Sequence, residues 1–256
     1  MRKSGSGWMQ WMAALAALAV LAGPAAAQDA KQGAKQDTTQ EAKHGTDTTS
    51  AGGKQGATAS RHVTDAVAVA RKLEGEERMR TLLHDAKGVF IIPKYGRAAL
   101  GVGGSGGAGV LLVHRPDGAW SDPVFYNTGG LSIGLQAGVQ GGALALVLNN
   151  EKAVNEFLKK NNFSLNAKAG LTVVNWSKMA QGSAGAGDVL AWSDTKGLFG
   201  DVLTLEVNDI RFNQQLTNAY YGRTLSASDV VAGKTSNPQA EPLVQAVAGA
   251  AGGAAR

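Results

Sequence analysis

The chain has 256 residues, a formal net charge of +5 at pH 7 and no cysteine. The lack of cysteine excludes disulfides, thiolate metal sites, a cysteine nucleophile and a lipid-modified cysteine. The weak positive charge comes without any cluster that interleaves basic and aromatic residues, so the composition does not indicate nucleic-acid binding.

The N-terminal segment has the pattern of a secretory signal peptide. Arg2 and Lys3 precede an apolar run from Trp8 to Ala22, and small residues follow up to Ala27. The run is short for a membrane span, which needs about 20 residues. We therefore expect cleavage after this segment and an exported protein, periplasmic or secreted.

Composition divides the chain further. Residues 1–27 are the expected signal peptide, and residues 28–60 contain alanine as their only apolar type, so they are expected to form a disordered linker. Residues 61–250 are long enough for one domain with a sizeable core. A flexible tail is expected over residues 251–256.

Two amphipathic helices are predicted at the start of this domain. Apolar residues recur at helical spacing from Arg61 to Leu73, and Ser60 can cap this helix. A shorter helix is indicated from Met79 to Ala86, ending near Gly88. Both helices are expected to pack on the core, and the alternative for the first is to lie on a lipid surface.

The pattern then changes to that of β-strands. Val89 to Pro93 is an apolar run that the proline is expected to close, and apolar and polar residues alternate from Gly130 to Val139. Further strands are predicted over Val110–His114, Ala143–Leu148, Leu165–Trp176, Asp188–Trp192 and Val202–Val207. Helices are predicted from Asn149 or Asn150 through Leu158, and from Asp209 to a stop at Gly222.

These elements predict an α+β fold. The sheet is expected to be mainly antiparallel, rich in glycine and twisted or barrel-like, with N-terminal and C-terminal helices packed on it. No β-α-β succession is visible in the pattern.

The glycine-rich block GVGGSGGAG, residues 101–109, contains both the dinucleotide-loop pattern GxGxxG and the nucleophile-elbow pattern GxSxG around Ser105. Both sites need a helix directly after the loop. Here a strand, Val110–Val113, follows and runs into the turn Arg115–Gly118. The block therefore favours a close-packed strand, with a neighbouring strand or helix lying flat against its bare face.

The remaining chemistry is sparse. Three histidines fall in the expected domain, and none has a metal-ligand spacing. They are His62, His84 and His114. His84 adjoins Asp85, but neighbours on a helix point in different directions. Trp120 and Trp176 are expected in the core. No catalytic residue, metal or cofactor is predicted.

Six short segments stand in a fixed order along the domain: AKGVFIIP, GVGGSGGAGVLLV, WSDP, GLSIGLQAG, KGLFG and NAYYG. The motif residues are Gly88, Pro93, Gly103, Gly106, Trp120, Ser121, Pro123, Gly134, Gly138, Lys196, Gly197, Leu198, Gly200, Asn218, Tyr220, Tyr221 and Gly222. In order and spacing, the chain from about Arg61 to Ala250 resembles the SYLF domain.

This resemblance implies a non-enzymatic domain that contacts membrane phospholipids through an N-terminal amphipathic helix and basic residues. The residues expected to bind lipid here are Arg61, Val63, Val67, Arg71, Lys72, Leu73, Lys87, Lys94 and Arg97. Some eukaryotic members also bind actin filaments, but the predicted export makes actin an unlikely partner. Asp194 stands where relatives often carry a basic residue, which argues against an anionic-lipid site at that position.

The expected function is therefore phospholipid binding, with a preference for anionic surfaces, peripheral to an envelope membrane. One alternative is a structural or protein-interaction module of the cell envelope without lipid binding. The other, less favoured, is a serine hydrolase acting through Ser105.

Overall fold

The computed structural model describes residues 41–100, 102–132, 140–182, 185–195 and 204–252. The predicted signal peptide therefore lies outside the described residues, as do Gly101 of the glycine block and the part of the alternating strand from Ile133 to Val139. The same holds for motif residues Gly134, Gly138, Lys196, Gly197, Leu198 and Gly200, for the side chain of Arg97 and for the burial of Gly103.

In the described ranges two helices precede the first four strands, and the remaining helices and strands follow. The helices are α1 (Glu41–Glu74), α2 (Glu77–Asp85), α3 (Glu151–Lys159), α4 (Trp176–Ala180), α5 (Gln214–Tyr221), α6 (Ala227–Val231) and α7 (Glu241–Gly252). The strands are β1 (Gly88–Leu100), β2 (Val102–Val113), β3 (Val124–Ser132), β4 (Gln140–Leu148), β5 (Asn162–Leu165), β6 (Val173–Asn175), β7 (Val189–Ser193) and β8 (Thr204–Phe212).

The strands form one eight-stranded sheet in the order β3-β2-β1-β4-β7-β6-β8-β5. Because β3 also pairs with β8, the sheet curls back on itself. These observations confirm the predicted α+β fold with a mainly antiparallel, barrel-like sheet and helices from both ends of the domain packed on it. One pair is parallel, β6 with β7, and α4 lies between them in the chain. The expectation of no β-α-β succession was wrong at this point.

The buried parts of the central strands, such as Val89–Ile92 of β1 and Leu144–Leu148 of β4, are apolar at successive positions because both faces of the sheet are covered there. Along β1, Phe90 and Ile92 face a core that includes α3 and α6. Val89 and Ile91 face a second core that includes α1, α2, α5 and α7. We call the first set of helices the α3 layer and the second set the α1 layer.

The glycines of β2 allow β1 to approach closely. A Cβ atom placed on Gly109 would lie 2.7 Å from Phe90 Cε2 and 2.7 Å from the Ile91 carbonyl oxygen. One placed on Gly107 would lie 2.7 Å from Ile92 Cγ2. This confirms that a neighbouring strand lies against the bare face. Ser105 is an inner residue of this strand, so neither enzyme motif has the helix it requires.

Helix α1 begins at Glu41, so the expected linker up to residue 60 is helical in its second half. The extension is held by the protein, because Ala59 is fully buried and Gln55 Nε2 donates to Gln215 Oε1 over 3.5 Å. Ser60 is an interior residue of the helix and not its N-cap, since its hydroxyl donates to the Gly56 carbonyl 3.0 Å away. The division of the chain into signal, linker and domain stays a prediction.

At the other end, α7 reaches Gly252, and Ala251 is buried. The first two residues of the expected flexible tail are therefore helical.

Pro93 does not close the first strand. β1 continues past it to Leu100, and its pairing with β2 shifts register between Ile91 and Gly96. A proline is tolerated at such an irregularity because no ladder hydrogen bond is required of its nitrogen.

Two other predicted boundaries also move. The strand expected over residues 165–176 is interrupted, because the side chain of Asn166 accepts a hydrogen bond from the Ala169 N–H and starts a 3-10 turn. The helix expected from Asp209 begins only at Gln214, capped by Asn213, because β8 continues to Phe212.

Candidate functional site

The outward side of α1 carries a row of exposed residues spaced three or four apart, as one helix face requires. Its members are Lys54, Ala57, Arg61, Thr64, Ala68, Arg71 and the adjacent Lys72. We call this row the cationic stripe, since four members are basic and none is acidic. From Lys54 to Lys72 it is roughly 27 Å long at 1.5 Å per residue.

The apolar side of α1 faces the protein. Val63 is 2% exposed and Leu73 is 1% exposed, and both belong to the core that contains Leu243 and Val247 of α7. Val67 is partly buried against the same core. The three apolar residues predicted to meet lipid are thus covered in this structure, because α1 packs on the protein along that side. Whether the helix binds lipid stays a prediction.

Two ion pairs flank the stripe. Lys72 Nζ lies 2.5 Å from Asp194 Oδ2, and Lys94 Nζ lies 2.6 Å from Asp65 Oδ2. Partial burial disfavours ionised Asp194, but the hydrogen bonds from Lys72 and from the Ala143 N–H together hold the pKa of Asp194 below its usual value. Asp194 therefore acts as an anchor between α1 and β4.

His62 does not contribute a positive charge to this region at pH 7. Its burial lowers the pKa of the imidazole, against the opposing attraction of Asp65. Because the ordinary pKa of histidine is already near 6.5, His62 is neutral at pH 7. The charge of the stripe is therefore carried by lysine and arginine.

Of the basic residues outside α1 that were predicted to bind lipid, Lys94 lies beside this helix and Lys87 does not. Lys94 lies beside it through the pair with Asp65. Lys87 is exposed just before β1, about 23 Å along the extended chain from Lys94 at 3.3 Å per residue. Arg71 and Arg61 are exposed on the stripe itself, and neither makes an ion pair within the ranges that the structure describes.

Sequence reasoning missed the first part of the stripe. Lys54 and Ala57 were assigned to the linker because their neighbourhood lacks large apolar residues. The available signal was the helical spacing of Ala59 to Val63 and Ala66, which continues the buried face of α1 toward its N-terminus.

The WSDP motif joins the sheet to its surroundings. Trp120 is 6% exposed and stacks on His114, with ring centroids 5.0 Å apart. Ser121 is fully buried, and its hydroxyl oxygen accepts a hydrogen bond from the Val113 N–H at 3.0 Å. As predicted, Trp120 and Trp176 are both buried.

The second half of the motif contacts the C-terminal helices. Asp122 Oδ2 accepts a hydrogen bond from the Asn237 N–H at 2.8 Å, and the Tyr221 hydroxyl donates to the Pro123 carbonyl at 2.7 Å. Burial raises the pKa of Asp122, although the bond from Asn237 opposes this. The hydroxyl of the neighbouring Tyr220 is buried without a hydrogen-bond partner.

Gly222 and Asn218, the other described motif residues of NAYYG, lie at the end of α5. Gly222 has a φ of 68°, in the left-handed region that favours glycine, and it ends the helix as predicted. Asn218 lies one turn earlier. The described motif residues in WSDP and NAYYG are thus structural joints.

His84 and Asp85 do meet, contrary to the expectation that they point apart. Their Nδ1 and Oδ1 atoms lie 3.0 Å apart, and both side chains are largely exposed.

Across the described ranges, no three histidine or carboxylate side chains gather as metal ligands would. Within the same ranges, no helix has the length and apolar content needed to cross a bilayer.

Comparison with known proteins identifies the family. The Ysc84 model, described as "Las17-binding protein actin regulator", matches residues 129–250. Human SH3 domain-containing YSC84-like protein 1 is 29% identical over 164 residues, covering 62% of this chain and 47% of that protein. Protein YSC84 of Saccharomyces cerevisiae is 28% identical over 170 residues, covering 64% of this chain and 36% of that protein.

The aligned region spans about half or less of the length of these curated relatives. No solved structure matches the chain. The match over residues 129–250 and the order of the motifs nevertheless agree, so this part of the chain is identified as a region of the Ysc84, or SYLF, domain family.

Proposed function

We propose that this protein binds phospholipid membranes at their surface, without enzymatic activity, through the cationic stripe of α1. The observation that carries this proposal is the composition of the stripe. Its basic residues alternate with Ala57, Thr64 and Ala68, and no acidic residue interrupts them. Small side chains between the cations allow a flat surface to approach all of them together.

The expected strength follows from the number of cations. A basic residue near an anionic membrane surface contributes about 1 kcal/mol. Lys54, Arg61 and Arg71 would together give about 3 kcal/mol, enough for reversible attachment that weakens as salt screens the charges. Because Val63 and Leu73 are covered, this attachment acts at the level of the headgroups and differs from the insertion of an amphipathic helix.

The non-enzymatic part of the proposal has two supports. The relatives carry names of binding or regulatory proteins. In addition, residue 105 pairs with residue 97 inside the β1–β2 ladder, where a nucleophile elbow has no room for its turn.

We also propose that the protein is exported and acts peripherally at an envelope membrane, which rests on the signal-peptide pattern alone. Cell fractionation with N-terminal sequencing of the purified protein would test it. A mature N-terminus near Gln28 in the periplasmic or secreted fraction supports export, whereas an intact leader in the cytoplasm contradicts it.

Flotation of the purified protein with vesicles tests membrane binding. We expect co-flotation with vesicles that contain phosphatidylglycerol, and a loss of at least tenfold in bound fraction for the double variant Arg61→Glu with Arg71→Glu. The control is Lys159→Glu with Lys168→Glu, which makes the same charge change in and near the α3 layer. Equal binding by the two double variants would contradict a role for the stripe.

A second candidate function is that of a protein-interaction module, which is favoured by the match to a family described as Las17-binding actin regulators. In this case the purified protein would associate with itself or with a protein partner regardless of vesicles. Sedimentation with actin filaments and light scattering over a concentration series separate these outcomes. Binding to filaments would also argue against the proposed export.

A further inference from the structure

A groove of about 470 Å³ opens at one end of the α3 layer, outside every residue predicted to bind lipid. It lies between the turn that follows β2, helix α3 and helix α6. Its volume falls within the range of small-molecule sites, about 300–1,000 Å³.

The floor of the groove is aliphatic. It is formed by Val113, Val154, Leu158 and Val231, which belong to the core under the α3 layer or pack against it. Val154 is 1% exposed, whereas Leu158 and Val231 are only partly buried. The lining contains no Phe, Tyr or Trp side chain, and the ring of His114 at its edge is already stacked on Trp120, so this surface suits a flexible hydrocarbon chain.

The rim carries charges of both signs. The Arg115 guanidinium lies 2.8 Å from Asp117 Oδ2 through Nη2, and its Nε lies 3.3 Å from Asp117 Oδ1. Nη1 points toward the end of α6, where a Cβ atom placed on Gly233 would lie 2.7 Å away. A guanidinium has five N–H donors, so the hydrogens on Nη1 stay available for an anionic oxygen. Glu151, exposed at the start of α3, supplies the negative charge on the helix side.

We propose that the groove binds a single zwitterionic amphiphile, with its alkyl chain on the aliphatic floor, its ammonium group at Glu151 and its phosphate at Arg115 Nη1. A purely anionic headgroup could pair with Arg115 but would leave the carboxylate of Glu151 without a cationic partner. A purely cationic one would leave Arg115 without a partner other than Asp117. This site is separate from the cationic stripe, because the α1 layer and the α3 layer lie on opposite faces of the sheet.

Isothermal titration with a lysophosphatidylethanolamine below its micelle concentration tests the proposal, using the full purified protein. We expect saturable binding at one site per chain. Leu158→Asn should raise the Kd at least tenfold, since it places a polar amide on the floor. The matched control is Leu82→Asn, a partly buried leucine of α2 in the other layer, which should leave the Kd unchanged. Thermal unfolding confirms that both variants are folded.

The charge of the rim is tested by Glu151→Lys. We expect this variant to prefer a lysophosphatidylglycerol of the same chain length, whereas Glu77→Lys, which changes the first residue of α2, should keep the preference of the original protein. Unsaturable binding, equal loss in both leucine variants, or an unchanged headgroup preference in Glu151→Lys would each overturn the proposal.

The vesicle experiment separates this site from the stripe. Arg61→Glu with Arg71→Glu should leave the titration unchanged, and Leu158→Asn should leave flotation unchanged. Failure at the groove therefore does not count against the stripe, and failure at the stripe does not count against the groove.

Discussion

The two layers that cover the sheet are held in different ways. In the α3 layer, Phe157 packs between rings of the sheet, with centroids 5.2 Å from Phe90, 5.2 Å from Tyr126 and 4.8 Å from Phe163. The Tyr126 hydroxyl donates to the Phe157 carbonyl at 2.9 Å. Large side chains thus fix this helix by shape.

In the α1 layer, helices α1 and α7 contribute mainly alanine, valine and leucine to the core, and hydrogen bonds and an ion pair add polar joints. Trp192 Nε1 donates to Glu76 Oε1 at 2.7 Å, Lys72 pairs with Asp194, and Asp122 accepts from Asn237. We therefore expect the free energy of unfolding to be sensitive to changes of side-chain volume in the α3 layer. In the α1 layer we expect it to be sensitive to the loss of single hydrogen bonds or charges.

The largest effect is expected where volume is added on the α3 side. Gly109→Ala should lower the free energy of unfolding by about 2 kcal/mol, because its Cβ atom would overlap the Phe90 ring and the Ile91 carbonyl. The control is Gly96→Ala, whose Cβ atom would meet nothing within 4 Å. Urea denaturation measures both, and equal effects would break the comparison.

A smaller effect is expected at the joints of the α1 layer. Tyr221→Phe should cost about 1 kcal/mol, because it removes the hydrogen bond to the Pro123 carbonyl. Tyr220→Phe should be neutral or stabilising, because the hydroxyl that it removes is buried without a partner. The same denaturation experiment ranks the pair, and the reverse order would contradict our description of this joint.

The smallest effect concerns Asp122. Burial raises the pKa of this carboxyl group, and Glu241 adds to the rise, so the ionised form is disfavoured in the folded state. A raised folded pKa means that stability increases as the pH falls through it. Asp122→Asn keeps an oxygen acceptor for Asn237 and should stabilise the protein at pH 7 by less than about 1 kcal/mol.

Thermal unfolding between pH 4 and pH 7 checks this prediction. The difference between Asp122→Asn and the original protein should shrink toward acidic pH. A variant that is less stable at pH 7 would show that the charge of Asp122 itself holds the joint.

Sequence patterns predicted the parts of this fold in which local and tertiary preferences agree. The apolar run at Val89–Ile92, the stop at Gly222 and the close approach at Gly109 were all confirmed. Boundaries failed where a tertiary contact overrides local preference. Asp209 has a positive φ of 56° within β8, a conformation that neither helix nor strand periodicity reveals.

In the candidate sites, too, local sequence patterns predicted some features, whereas tertiary contacts decided others. Arg61, Arg71 and Lys72 were found because they share a predicted helix with regular spacing, whereas Lys54 was assigned to the linker. For the apolar face of this helix the sequence indicated packing on the core, with a lipid surface as the alternative, and the packing against α7 shows that Val63 meets protein. The groove joins residues from three distant segments, 113–117, 151–158 and 228–232, and no short motif records that proximity.

The position of β8 in the sheet has a consequence for the order of folding. This strand is the last of the eight along the chain, yet it pairs with β3, β5 and β6. Until residues 204–212 are available, β3 keeps an unpaired edge that can join other chains. Closure of the sheet must therefore wait until β8 has been synthesised, and such long-range pairing is slow. The incomplete chain is most prone to aggregation during that interval.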